Sequence, residues 1–315
     1  MARLDITLGR PELFLVQQTA VRCDYAKLGE LLTTGLSGPH DRIERVRVAA
    51  DTLTEWTFAD LPRGLDDWCR SGDPTAFVVR GAVEINRAWA VRGKLRAAHT
   101  TPAQHQGFNE ILGVAKRYCE AAAEADPSDA APWLFLLSIA RGRPVGSAEV
   151  HRLRNELEGR APQSFVGHRH AIAALGPQWG GTMEHVDAAV AAWTAAPRPG
   201  SPLPALVFPA FVQRWWSHGH RADFTREPQL RAQAHEASER MPMRPCETPD
   251  EYLAHNHAAA YYGLARDPKR ANAHFKLLHG VVTEYPWRDL RATAPIRTEV
   301  PLFRGRRLKA LLGLR

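Results

Sequence analysis

Three His-x-His pairs, His168/His170, His218/His220 and His255/His257, are the residues whose type and spacing best suit chemistry. Two imidazoles two residues apart can share a metal ion when the backbone is extended. On a helix the same spacing turns them about 200° apart, at ~100° per residue. His168 and His257 fall on the apolar stripes of their segments, so His170 and His255 face elsewhere and neither pair chelates by itself. His218-Gly-His220 follows Trp215-Trp216, where a helix is expected to end, and alone has suitable local geometry. His218, His220 and His257 are therefore the metal candidates, with His168 and His274 available to a site assembled from several helices. No His-Glu-x-x-His or Glu-x-x-His spacing supports such a site, and satisfied or solvated histidines are the simpler reading. No cofactor is expected. Gly35-Leu-Ser-Gly38 is not a nucleophile elbow, and neither a Gly-x-Gly-x-x-Gly turn nor a phosphate loop is present.

The nine tryptophans suit a binding surface better than a reaction. Trp89, Trp133 and Trp193 lie on apolar helix faces and read as core. Trp179 sits in a Gln-Trp-Gly-Gly turn, and Trp215 and Trp216 point two large rings in different directions from one helix. Arg80, Arg92 and Arg141 are placed to line a groove beside such rings. Arg with Trp is the pairing enriched at interface hot spots, and Arg grips carboxylates bidentately. For Arg92 and Arg141, each just before a glycine, helix C-capping is the competing explanation. Arg80 is mid-helix, where capping fails. The partner-binding set is thus Arg80, Arg92, Arg141, Trp179, Trp215 and Trp216.

The elements that must hold these side chains are helical. Asp73-Pro74, Asp126-Pro127 and Asp267-Pro268 each read as a helix start, because Asp accepts first-turn N–H groups and Pro lacks a donor that is not needed there. Phe77, Gly81, Ile85, Ala88, Trp89 and Arg92 form one face of a helix ending at Gly93. Phe108, Ile111, Leu112, Ala115, Cys119 and Ala122 form the face of the next, after Thr101-Pro102. A third follows the Asp126 turn and stops at Gly142, so that helices joined by this short turn pack antiparallel. Further helices are expected at 163–175, 183–196, 205–218 (kinked at Pro209), 227–241, 249–265 and 268–285. Ile6–Leu8 and Leu13–Val16 suggest a short hairpin. The four prolines of residues 197–204 mark a boundary. The expected organisation is a helical segment at 1–60, helical hairpins at 61–196, a helical region at 205–296 and a basic tail at 297–315.

Charge and cysteine content narrow the partners. Six basic residues against one acid place most of the formal charge of +7 in that tail, which argues against a nucleic-acid-binding body. The tail's leucines spread around a helical wheel, so docking on a hairpin or a partner fits better than a membrane surface. Cys23, Cys69, Cys119 and Cys246 are far apart and read as reduced thiols of a cytoplasmic protein. Acids at Asp5 and Glu12 and a short apolar run argue against a signal peptide, and no apolar stretch approaches a membrane span.

Ala-Glu-Ala-Asp-Pro-Ser-Asp-Ala-Ala-Pro-Trp-Leu, residues 123–134, resembles the hairpin junction of tetratricopeptide-like repeats. Arg80-Gly81 through Ala88-Trp89 to Arg92-Gly93, with Gly176-Pro-Gln-Trp-Gly-Gly181, resembles uncharacterised bacterial proteins of that type, over roughly residues 60–285. The full tetratricopeptide consensus is absent from every candidate repeat, and helix starts do not define one repeat length. The resemblance implies an all-α array of antiparallel helix pairs with a divergent C-terminal half, and a noncatalytic scaffold that binds a protein or peptide. The rival is a helical enzyme or small-molecule binder with a cavity lined by His257, Tyr261, Tyr262, His274 and Trp179.

Overall fold

The computed structural model describes residues 3–55, 61–93, 100–143 and 145–291. The tail at 297–315 lies outside the described residues. The described chain is all-α, with 73% of residues helical, and none of its helices is long and apolar enough to cross a membrane. It divides into two compact units, residues 9–162 and residues 1–8 with 163 onward. The proline-rich residues 197–204 lie inside the latter.

The first unit contains α1 (Pro11–Val21), α2 (Tyr25–Thr33), α3 (Pro39–Glu55), α4 (Leu65–Arg70), α5 (Pro74–Arg92), α6 (Pro102–Ala125), α7 (Ala131–Gly142) and α8 (Ser147–Arg160). Leu13–Val16 is part of α1 and Ile6–Leu8 is a turn, so the expected hairpin is corrected. Leu13 and Val16 are fully buried three residues apart, a helical spacing that a short apolar run cannot be told from by pattern alone. Asp73 caps α5 by accepting Thr75 N–H at 2.8 Å, and Thr101 with Gln104 forms a capping box on α6. Asp126 behaves differently. It stands at the C-terminus of α6, its carboxylate takes the Ser128 N–H and hydroxyl, and Asp129 takes Ala131 N–H at 2.9 Å. This Asp-Pro pair therefore closes one helix, and the next opens at Ala131, with Pro132 in its first turn.

Contacts of α3 with α1 and α5, and of α5 with α7, link alternate helices. Two arginines of α3 complete the exposed end of α2. Arg42 donates to Leu32 O at 2.7 Å and Arg45 to the carbonyls of Leu31, Thr34 and Gly35, groups that a helix terminus leaves without intrahelical donors. Trp89 lies against Phe108 while Gly81 lies against Cys119, so α5 and α6 run in opposite directions. Their approach is close: a Cβ on Gly81 would sit 2.5 Å from Cys119 Sγ.

The second unit contains α9 (Phe165–Leu175), α10 (Met183–Thr194), α11 (Val207–Ser217), α12 (Pro228–Arg240), α13 (Pro249–Leu264), α14 (Pro268–Leu277) and α15 (Trp287–Arg291). Arg3–Leu4 pairs in parallel with Val281–Val282. Pro209 lies in the first turn of α11, where no backbone hydrogen bond is lost, and α14 stops at Leu277, short of Tyr285. Helix α13 is buried on nearly every side, between α9, α11 and α14. At its start, Asp250 accepts the Phe165 and Val166 N–H groups at 2.7 and 3.0 Å, which fixes the head of α9 to α13. Phe211 stacks on Tyr261 at 4.5 Å, and Phe208 contacts Tyr261 and Tyr262.

Candidate functional site

In the first unit α6, α7 and α8 enclose a groove of about 280 Å³. Its floor is aliphatic, from Leu136, Ile139 and Ala140 of α7 and Leu153 of α8, and Val145 forms an exposed lip. Charges stand on both walls. On α6, Lys116 and Glu120 pair at 2.5 Å, and on α8, Arg152 holds Glu149 through two hydrogen bonds of 2.7 Å. The walls also act on each other. Glu149 is held below the usual carboxylate range by the hydrogen bond from Arg152, and then by the charges of Arg152 and Lys116. Arg152 is raised by its bond to Glu149 and by the charges of Glu149, Glu156 and Glu120. Wall charges thus alternate in sign and cancel. Arg143, at the end of α7, is exposed, and no hydrogen bond or ion pair engages its guanidinium among the described residues. It lies over Gly113 of α6, where a Cβ would be 3.6 Å from Arg143 Nη1, an ordinary contact distance.

Behind this groove arginines meet tryptophans twice. The Arg141 guanidinium lies 4.5 Å from the Trp89 ring, with Arg92 at 5.5 Å from the same ring. Arg160 and Arg152 approach Trp133 at 4.8 and 6.0 Å. Burial and then the charge of Arg141 push Arg92 below the usual arginine value. Trp89 and Trp133 are half-buried under these cations, while Trp193 is buried. Arg92 and Arg141 thus make cation–π contact while also standing in the last turns of their helices, where a cation suits the dipole. Arg80 is elsewhere. It is buried, paired with Glu84 at 2.8 Å and with Asp66, and lies 5.1 Å from the Tyr118 ring, beside a second cavity of about 310 Å³ bordered by Asp66, Phe77 and Tyr118.

In the second unit the proposed binding rings diverge. Trp215 is fully buried, Trp216 is half-buried beside it, and Trp179 is half-buried in a short 3-10 turn after α9. His218 is exposed and its Nδ1 donates to Arg214 O at 2.9 Å. His220, at a left-handed φ of 69°, packs its ring 4.5 Å from both Trp215 and Trp216. His257 is buried, with Nδ1 donating to Leu253 O at 2.8 Å and its ring edge on Phe165. Among the described residues no three or more His, Cys, Asp or Glu side chains are arranged to hold a metal, so His218, His220 and His257 do not share a site.

One cluster was not legible from spacing. His255 does point away from the stripe of His257, but onto His274 of α14, and both are buried. A chain of contacts runs from Pro242 O to His255 Nε2 (3.1 Å), His255 Nδ1 to His274 Nδ1 (2.8 Å), His274 Nε2 to Ser238 Oγ (3.4 Å), Ser238 Oγ to Tyr262 OH (2.8 Å) and Tyr262 OH to Ala234 O (2.9 Å). Both ends are carbonyls, which only accept, so five contacts share the four protons of two neutral imidazoles and two hydroxyls. Pro242 requires His255 to carry its proton on Nε2, and His255 Nδ1 then accepts from His274 Nδ1–H. Tyr262 donates to Ala234 and accepts from Ser238. The contact left without a proton is Ser238 to His274, which at 3.4 Å is also the longest. Burial, then the charge of His255, lowers His274 to about 3, and burial also lowers His255, so the pair is neutral. Sequence alone groups Tyr262 and His274 in a cavity lining but not His255 or Ser238; the signal for His255 is that it and His274 lie on the two helices joined by the Asp267-Pro268 turn.

No protein-family model, no curated protein and no solved structure matches this chain.

Proposed function

We propose that the protein is a noncatalytic helical-repeat scaffold of tetratricopeptide-like build that holds a segment of a protein or peptide partner on its first unit. The observation that carries this reading is the groove of α6, α7 and α8, apolar at the bottom and charged along both walls. At about 280 Å³ it lies below the ~300–1,000 Å³ typical of small-molecule sites, a size suited to one or two inserted side chains of a larger partner. Contacts between alternate helices, α1 to α3, α3 to α5 and α5 to α7, support the repeat architecture. Four free cysteines, three of them buried, fit a reducing cytoplasm.

A second reading, chemistry in the second unit, draws on the His274 Nε2 lone pair aimed at Ser238. A base lowered to about 3 is poorly matched to proton transfer near neutrality, which favours the scaffold. The scaffold reading is tested by panning a random-peptide display library on the full chain. Peptides that bind, and that lose binding on Val145→Trp without loss of thermal stability, support it; peptides indifferent to Val145→Trp refute it.

A further inference from the structure

We infer that the segment held in the α6–α7–α8 groove is acidic and apolar: an aliphatic side chain seated over Ile139 and Ala140, with a carboxylate about one helical turn away that pairs with Arg143. This rests on the scaffold reading and adds the chemistry of the occupant. The argument is charge complementarity. Lys116 with Glu120, and Glu149 with Arg152, satisfy one another and leave the walls neutral. Arg143 is the charge left over. Its guanidinium is exposed at the mouth, over the bare backbone of Gly113, without an ion pair among the described residues. Arg presents a planar fork of donors to a carboxylate, and a lone cation at one end of an otherwise neutral slot selects for an anion there.

Spacing follows from α7. Arg143 is the C-cap of α7, its N–H bonded to Ile139 O at 2.9 Å, so the cation is rooted one helical turn beyond the apolar floor, and an occupant spans that step with about one turn of its own. A basic occupant would instead bring its charge against Arg143 with no acid left free on the walls. Such like-charge placement is what excludes wrong partners at interfaces.

The experiment uses peptides recovered from a random-peptide display library on the full chain, synthesised with a fluorophore and titrated by anisotropy. Recovered sequences should be enriched in Asp or Glu near Leu, Ile or Met. Arg143→Glu should weaken them about tenfold at low salt, since an exposed attraction becomes a repulsion, and the loss should shrink as salt is raised. Replacing the peptide's acid by Lys should restore binding to the Arg143→Glu chain. Peptides blocked by Val145→Trp yet indifferent to Arg143→Glu and to their own acid would overturn the acidic-partner inference and leave the groove reading standing. Peptides indifferent to both substitutions, or no enrichment at all, would overturn both.

Discussion

Acid should destabilise this protein well before its carboxylates titrate, because the second unit buries neutral histidines. His257 and His274 are each lowered from 6.5 to about 3, chiefly by burial, and His255 is lowered in the same direction. Released by unfolding, each imidazole binds a proton near 6.5, whereas in the native chain it does so only near 3. Between those values the unfolded state holds more protons, so stability falls as pH falls, with plateaus above and below the window. At pH 5 the loss is roughly 2 kcal/mol per histidine, from ~1.36 kcal/mol per unit over ~1.5 units. His257 and His274 together forfeit about 4 kcal/mol, against a total of ~5–15 kcal/mol for an ordinary domain. Carboxylates held low by their partners, such as Asp126, Asp267 and Glu149, add their share only at lower pH. Urea unfolding at a series of pH values between 7 and 5 should show a slope that approaches at least about 2.7 kcal/mol per pH unit, two protons taken up by His257 and His274, with His255 adding to it. His257→Asn should lower that slope by about one proton. A flat profile between pH 6.5 and 5 would refute the account, since ordinary imidazoles would titrate alike in both states.

Three further outcomes follow from single contacts. Nitrogen-15 NMR at neutral pH should find His274 as the Nδ1–H tautomer and His255 as the Nε2–H tautomer; the reverse pair would show that the Ser238 contact is protonated. Gly81→Ala should cost about 1–3 kcal/mol by overpacking, since its Cβ would meet Cys119 Sγ at 2.5 Å, and Cys119→Ala should recover part of that in thermal melts. Arg80→Ala should cost about 1.5–3 kcal/mol, because the buried Glu84 loses one of its two cationic partners and keeps Arg87 at 2.6 Å, and adding Arg87→Ala should cost more than that second substitution does alone.

Helices were most legible where one face is apolar and the other wet. The faces of α5 and α6 show the 3.6-residue period, and Asp73 and Thr101 carry capping chemistry that needs no tertiary context. Helix α13 is the opposite case. Its apolar stripe at His257 gives the direction of His255 correctly, but with nearly all sides buried there is no wet face opposite that stripe, so pointing away from it does not reveal the burial of His255. Asp126 shows a different limit: an Asp-Pro pair can cap a start or close an end, and α7 begins instead where Asp129 takes the Ala131 N–H just before Pro132. Arg92 and Arg141 meet at Trp89, a ring expected in the core, and not at Trp179, Trp215 or Trp216, the rings grouped with them from the sequence. Arg80 pairs with Glu84 one turn on, a spacing visible in the sequence, and with Asp66, fourteen residues upstream on another helix, which no local pattern shows. Arg143 carried no pattern at all. Its significance comes from which neighbouring charges are already spent.

The thiol beneath Gly81 has one more consequence. Cys119 is fully buried, and burial pushes its ionisation far above the usual thiol range, so no thiolate is presented while α5 and α6 stay closed. Cys246 is a buried thiol of the other unit, pushed up to about 12 by burial and then by the charge of Glu251. Each unit therefore carries its own chemical clock. The rates at which an alkylating reagent consumes these two sulfurs in native buffer count the openings of each unit separately, in the unaltered chain and without a spectroscopic label.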